Sequence, residues 1–231
     1  MQITSQIGNM YKSLNHFVNQ TTKSIKTNGK VNESKFSWNL QELGDMFQKG
    51  NQLKKFNNET LRLAEYMVNK KQDNLAGIVY SFLVKLNKYN PQVAEKIAQN
   101  ALAIAKRTND PIHIAARAND LKEIYKYTQF GSEKHLKVLY DEKRALTKVF
   151  NNYDYAKNSY NTLKREIKPK ETYHYILGII QAEIAQVIKK TNPKLALEEA
   201  LSSYDILCNF GKGKITDKLE KIIAELQAKF E

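Results

Sequence analysis

The chain has 231 residues, 42% of them hydrophobic and 26% charged, a mix that suits a soluble folded protein with enough apolar surface for a real core. Nine glycines and four prolines are too few turn formers for a many-stranded sandwich and point to long helices. The 37 Lys and Arg against 24 Asp and Glu leave a net charge of +13, which favours acidic partners such as nucleic acid, anionic lipid or acidic protein and says nothing about fold.

A single cysteine, Cys208, excludes an internal disulfide and places stability in packing, as in a reducing compartment. It sits on an apolar helical stripe (Asp205-Ile206-Leu207-Cys208) and reads as a small core residue rather than a nucleophile. No apolar run reaches the roughly 20 residues that span a bilayer. The N-terminus has no continuous hydrophobic block of the secretory kind. The expected compartment is the cytoplasm, with no transmembrane segment.

Residues 1–31 contain no acidic side chain but carry Lys12, Lys23, Lys26 and Lys30. Ile3, Ile7, Met10, Leu14 and Phe17 form one helical stripe close to a heptad seam, and Asn28-Gly29 breaks the helix. Three readings stay open for this basic amphipathic helix: a cap on the following array, a partner-binding or self-pairing helix, or a helix lying on an anionic membrane or serving export.

Residues 32–231 read as one helical domain. Trp38 to Phe56 has helical spacing (Leu40, Leu43, Met46, Phe47, Leu53), with Gly50 a candidate break. Asn57-Asn58 reads as a turn, followed by a helix from Thr60 to Lys70. Asp73 is placed to cap the next helix, which is apolar nearly all round (Leu75, Ile78, Val79, Phe82, Leu83, Leu86) and therefore central. Asn90-Pro91 and Asn109-Asp110-Pro111 each open a helix with a capping side chain and a proline in the first turn. Phe130-Gly131-Ser132 separates two more. Asn151-Asn152 turns the chain into a short helix with Ala156, Tyr160 and Leu163. Lys168-Pro169-Lys170 is a hinge before a long helix from Glu171 to Lys190. Asn192-Pro193 opens another, Gly211 and Gly213 end it, and Thr216-Asp217 caps a last helix whose outer face is charged, as a terminal cap requires. The total is about ten or eleven helices with loops short enough to force antiparallel neighbours.

One pattern recurs: the end of an amphipathic helix, a basic pair, a polar turn and a new apolar helix. It runs from Ala64 to Ala76 and from Ala101 to Ile112, with a looser copy at Leu163-Lys164-Arg165-Glu166. This is how a stack of helical hairpins reads.

The segment Leu40-x-x-Leu43-Gly44-x-x-Phe47 resembles the first helix of a tetratricopeptide repeat. Ala94-x-x-x-Ala98-x-x-Ala101, Ala156-x-x-x-Tyr160-x-x-Leu163 and Ala196-x-x-x-Ala200-x-x-Ser203 resemble its second. Ala94 and Ala196 are three 34-residue periods apart. Ala156 is off that period. The resemblance implies a right-handed α-solenoid of antiparallel helix pairs with a concave groove that holds a peptide or protein. No carboxylate-clamp set can be placed.

Catalytic motifs are not found. His16, His113, His135 and His174 have no His or Cys at metal-ligand spacing, and Gly211-Lys212-Gly213-Lys214 is too short for a phosphate loop. No cofactor and no enzyme activity are expected. Two feature sets remain as partner-binding candidates. Tyr-x-Tyr recurs at Tyr125/Tyr127, Tyr153/Tyr155 and Tyr173/Tyr175, and on a helix one member of each pair turns inward and the other outward. Outward rings could stack on a partner, although ordinary helix packing explains them too. Basic pairs Lys106-Arg107, Lys164-Arg165 and Lys189-Lys190 stand at helix ends, where the dipole welcomes cations and where stacked hairpins could align them as a ridge. The expected function is a non-catalytic interaction scaffold for a protein or peptide partner, with an acidic partner favoured by charge. The alternative is a nucleic-acid-binding protein using the basic ridge. Oligomeric state is not legible.

Overall fold

The computed structural model describes residues 2–28, 31–162 and 167–230, with side chains except at 2–6, 28 and 159–162. Eleven helices and no strand lie among the described residues. The fold is all-α, a helical-repeat array of the α-solenoid class. Packing divides the chain into two units, Met1–Thr108 and Asn109–Glu231.

Unit 1 holds α1 (Gln2–Asn28), α2 (Glu33–Lys49), α3 (Leu53–Asn69), α4 (Asp73–Leu86) and α5 (Pro91–Thr108). The stripe of α1 is buried within the unit at Met10, Leu14, Phe17 and Ile25. Phe17 stacks on Phe36 of α2 at 5.2 Å, and the Tyr11 hydroxyl donates to Gln52 Oε1 at 2.7 Å. Helix α1 thus packs on α2 and α3. Gly29 lies outside the described residues.

Asn32 caps α2 by accepting from the Lys35 N–H at 2.9 Å. The chain reverses at Gly50-Asn51, where Asn51 adopts a left-handed φ of 55°. The turn expected at Asn57-Asn58 is not there, because α3 starts at Leu53 and runs through both residues. Asn57 is buried, and its Nδ2 donates to Asn87 Oδ1 at 2.8 Å while Asn87 Nδ2 donates back at 3.2 Å. The turn preference of asparagine comes from bonding to its own backbone; here a partner at the end of another helix takes that bonding capacity.

Helix α4 is central, packing on α2, α3 and α5 with Leu75, Val79, Tyr80 and Leu83 buried. Asp73 is its first residue rather than its cap, and its charge faces the positive end of the helix dipole. Gly44 lets α2 and α4 approach, since a Cβ there would lie 2.4 Å from the Phe82 ring.

Unit 2 holds α6 (Pro111–Thr128), α7 (Glu133–Asn151), α8 (Tyr153–Thr162), α9 (Lys170–Ile188), α10 (Pro193–Cys208) and α11 (Lys214–Gln227). Asp110, Ser132 and Asn192 cap α6, α7 and α10 through side-chain oxygens, as their positions before proline or Glu predict. Thr216 does not cap α11, which begins two residues earlier. Its hydroxyl instead accepts from the Gly213 N–H at 2.8 Å.

Two hairpins, α6–α7 and α9–α10, form the body of the unit, and α11 packs on α9 and α10. Helix α7 packs on α9, passing over α8, which touches α7 at its end. Ala156 falls on this set-aside helix and is only half-buried, whereas Ala94 and Ala196 are fully buried in α5 and α10. That accounts for Ala156 missing the 34-residue spacing. The side chains of Tyr160 and Leu163 in the same copy lie outside the described residues.

Within hairpins the contacts are mostly apolar, with polar exceptions that include Lys122 of α6, which pairs with Glu142 of α7 at 3.3 Å, and the Ser203 hydroxyl of α10, which donates to Gly178 O of α9 at 2.7 Å. Ile180, Ile184, Ala196, Ala200 and Leu207 join α9 to α10 in one core with Leu139, Leu146 and Val149 of α7. Between hairpins they are partly ionic. Lys126–Glu183 (3.4 Å) ties α6 to α9, Lys189–Glu225 (3.2 Å) ties α9 to α11, and Lys143–Glu199 ties α7 to α10.

Candidate functional site

The rings of unit 2 converge where α7 ends, α9 begins and α10 ends. Pro169 stands at the N-cap of α9 with φ −53°, close to the angle its ring imposes, and so sets where the first turn starts. Successive residues then fan out by about 100° each. Tyr173 turns inward and is buried, while His174 is half-buried and Tyr175 is 39% exposed. At the far end of α10, Phe210 is left 42% exposed, and the chain turns away through Gly211 at φ 102°, a conformation that glycine adopts without strain.

These rings form a four-membered cluster, Phe150, His174, Tyr175 and Phe210, with the pair Tyr153 and Tyr173 at the starts of α8 and α9. Phe150 stacks on His174 at 4.3 Å with planes 18° apart. Phe210 meets His174 edge-on at 6.2 Å and Tyr175 at 5.3 Å. Tyr153 approaches Tyr173 at 6.4 Å and donates its hydroxyl to Lys168 O at 2.9 Å. Lys170 Nζ lies 4.8 Å from the Phe150 ring, a cation–π contact. Burial, more than any neighbouring charge, raises the pKa of the Tyr173 phenol. Next to the cluster, the Tyr204 hydroxyl donates to Glu220 Oε1 at 2.6 Å and Lys212 pairs with the same oxygen at 3.1 Å. The hydrogen bond from Tyr204 and the Lys212 charge hold the Glu220 carboxyl below its ordinary value.

Four of the six expected tyrosines, Tyr153, Tyr155, Tyr173 and Tyr175, belong to helices that start at this end. Tyr125 and Tyr127 are at the opposite end of the hairpins, near the α6–α7 loop. In each helix one member turns in and the other out: Tyr125 is 2% exposed and Tyr127 83%, Tyr153 is half-buried and Tyr155 80% exposed.

The basic pairs are dispersed. Lys106-Arg107 ends α5 in unit 1. In unit 2, Lys189 is half-buried against Glu225 and Lys190 is exposed. Lys164-Arg165 lies outside the described residues, as does the looser motif copy around it. Cys208, the last residue of α10, is half-buried rather than fully in the core.

Phe150, His174, Phe210 and Lys170 were not singled out from the sequence. The available signal was the large aromatics Phe150 and Phe210 immediately before turn residues, where a helix stripe has ended and a ring has no reason to be buried.

Among the described residues no group of three His, Cys, Asp or Glu is placed to hold a metal, and no helix is long and apolar enough to cross a membrane. No family model matches the chain, and no curated protein matches it. Among the solved structures similar to it are two with low identity. BtubC (BKLC) from P. vanneervenii is 13% identical with a TM-score of 0.43, covering 100% of this chain and 92% of its own. A de novo designed helical repeat protein is 13% identical with a TM-score of 0.29, covering 98% of this chain and 96% of its own. Both superpose loosely, so the class assignment rests on the helices and their packing: an all-α helical-repeat protein with a ring-bearing end on its second unit.

Proposed function

We propose that the chain is a non-catalytic interaction scaffold, and that a peptide or protein partner docks on the ring-bearing end of unit 2. The carrying observation is the half-exposed pair Tyr175 and Phe210, held edge to face on a base of Phe150 and His174. Rings positioned by three helices present apolar area at little further entropic cost, which is how aromatic anchors act at interfaces. Exposed Lys168, Lys170, Lys212 and Lys214 flank them in sequence, so an acidic segment with an apolar anchor is the partner class that fits.

The test is affinity capture from the native host with the wild-type chain and with a Tyr175→Ala/Phe210→Ala variant whose helicity is checked by circular dichroism. A protein retained by the wild type and lost from the folded variant is the expected result. Equal retention by both would remove this end as the docking site. A salt titration separates the nucleic-acid alternative: affinity for RNA or DNA that falls steeply with salt and is lost on replacing Lys106-Arg107 and Lys189-Lys190 would transfer the function to the basic residues.

A further inference from the structure

The most unusual chemistry in unit 2 lies away from the ring cluster, in the seam joining α6, α7 and α9. Lys122 of α6 is 4% exposed, although lysine is almost never buried unless paired. Its Nζ lies 3.3 Å from Glu142 Oε2 of α7, 3.5 Å from Glu183 Oε2 of α9 and 4.0 Å from Glu123 Oε1. Glu142 is itself 2% exposed. Lys126, at the rim, shares Glu183 at 3.4 Å. His135 of α7 is 2% exposed; its Nδ1 accepts from the Gly131 N–H at 3.2 Å, and its Nε2 is buried without a hydrogen-bond partner.

We infer that Lys122, Glu142 and Glu183 form a proton-operated latch across this seam, closed when Glu142 carries a proton and loosened when it is ionised. With Glu142 ionised, Lys122 is shared by Glu142, Glu183 and the half-exposed Glu123, Lys126 pairs with Glu183 at the rim, and the driest carboxylate, Glu142, holds only part of one cation. Burying a carboxylate is unfavourable unless a cation is fully its own, and Lys122 is divided among three. A proton on Glu142 removes that poorly compensated charge and leaves Lys122 to Glu183, which still spans α6 and α9.

The other charged groups around Glu142 do not relieve it. On α7, Asp141 pairs with Arg144 at 2.7 Å, and Lys143 turns to Glu199 of α10. Helix α8, which carries Asp154 and Lys157, joins the far end of α7. Burial, the largest cause, raises the Glu142 carboxyl from 4.5 to about 7, against the opposing pull of Lys122. The latch therefore works near neutral pH. Phe150 and His174 stack across the same α7–α9 seam, so loosening at the charged cluster acts on the two helices that carry the ring base. The inference does not depend on what docks there.

Two measurements on the full chain test it. In carbon-13 NMR of glutamate-labelled protein, with Glu142→Gln used to assign the resonance, the Glu142 carboxyl should titrate with a midpoint near 7. A midpoint near the ordinary 4.5 overturns the latch. Thermal midpoints of wild type and Glu142→Gln should coincide near pH 5 and separate as pH rises toward 8, with the variant melting higher. A constant difference across that range also overturns it. If Glu142→Gln does not fold, Glu142→Asp takes its place for the assignment, and the NMR titration alone decides.

Discussion

Lys122 is the point where most of the electrostatics of unit 2 meets, and removing it tests how much the seam depends on charge. Lys122→Met leaves the buried Glu142 without its cation and the half-buried Glu183 with Lys126 alone. Breaking a buried pair by removing one partner is strongly destabilising, about 3–5 kcal/mol. The loss should be largest at pH 8 and smaller at pH 5, where Glu142 is protonated, and denaturant melts at the two pH values check this. The sign for Glu142 follows from its raised pKa. The folded state holds the proton more tightly than the unfolded state, so this group's contribution is complete below pH 4.5 and is lost as pH rises to about 7. His135 runs the other way. Burial lowers its pKa below 6.5, so its contribution is complete above 6.5 and is lost as pH falls. In Glu142→Gln, stability should therefore rise with pH up to 6.5, a slope partly cancelled in the wild type. Asn57 offers a neutral counterpart. Asn57→Ala strands the buried Asn87 amide and should cost about 1–3 kcal/mol, less in the Asn57→Ala/Asn87→Ala pair than the two single losses added together. Neither feature was legible in the sequence. Asn57-Asn58 has the look of a turn, and Lys122 follows Leu121 as any snorkelling lysine would. In both cases the deciding partner lies on another helix, and local pattern carries no trace of it.

Helices fared better because their signals are local. Proline in the first turn, a capping Asp, Ser or Asn before it and a 3.6-residue apolar period are all set by the segment itself, and α5, α6, α7 and α10 start where those signals say. Position in the stack is not local, and α8 shows the difference: it has an amphipathic pattern like its neighbours yet is bypassed by the α7–α9 contact. Close approach between helices is likewise readable only in three dimensions, and two glycines separate the effects. A Cβ at Gly178 of α9 would fall 2.9 Å from Ile206 Cγ2 and 3.0 Å from Leu207 Cγ of α10, atoms near their own backbone that cannot swing aside. A Cβ at Gly77 of α4 meets nothing within 4 Å. Alanine gains about 1 kcal/mol over glycine in a helix interior, whereas overpacking costs about 1–3 kcal/mol. Gly178→Ala should therefore lower the thermal midpoint and Gly77→Ala raise it. The same sign for both would mean that α9 and α10 are less closely packed than these distances state.

At the scale of the chain, most of the basic excess and the half-exposed ring cluster lie in different units. Residues 1–108 carry 16 basic and 7 acidic residues, and residues 109–231 carry 21 and 17, so most of the basic excess belongs to unit 1 while the ring cluster belongs to unit 2. Electrostatic attraction to a polyanion scales with the cations that contact it and falls with salt, whereas ring-anchored docking responds weakly to salt. Unit 2 has its own core running from Ala115 to Leu226, and arrays of stacked hairpins draw their stability from neighbouring contacts. Residues 109–231 alone should therefore show helical circular dichroism and a cooperative melt. Given that, the isolated unit should retain a ring-docked partner with affinity little changed between low and physiological salt, and should lose most of any salt-sensitive binding to RNA or DNA shown by the full chain. Retention of that salt-sensitive binding by residues 109–231 would place the polyanion site in unit 2 and revive the basic pairs near α9 as functional groups. Failure of the fragment to fold would show instead that its core leans on unit 1.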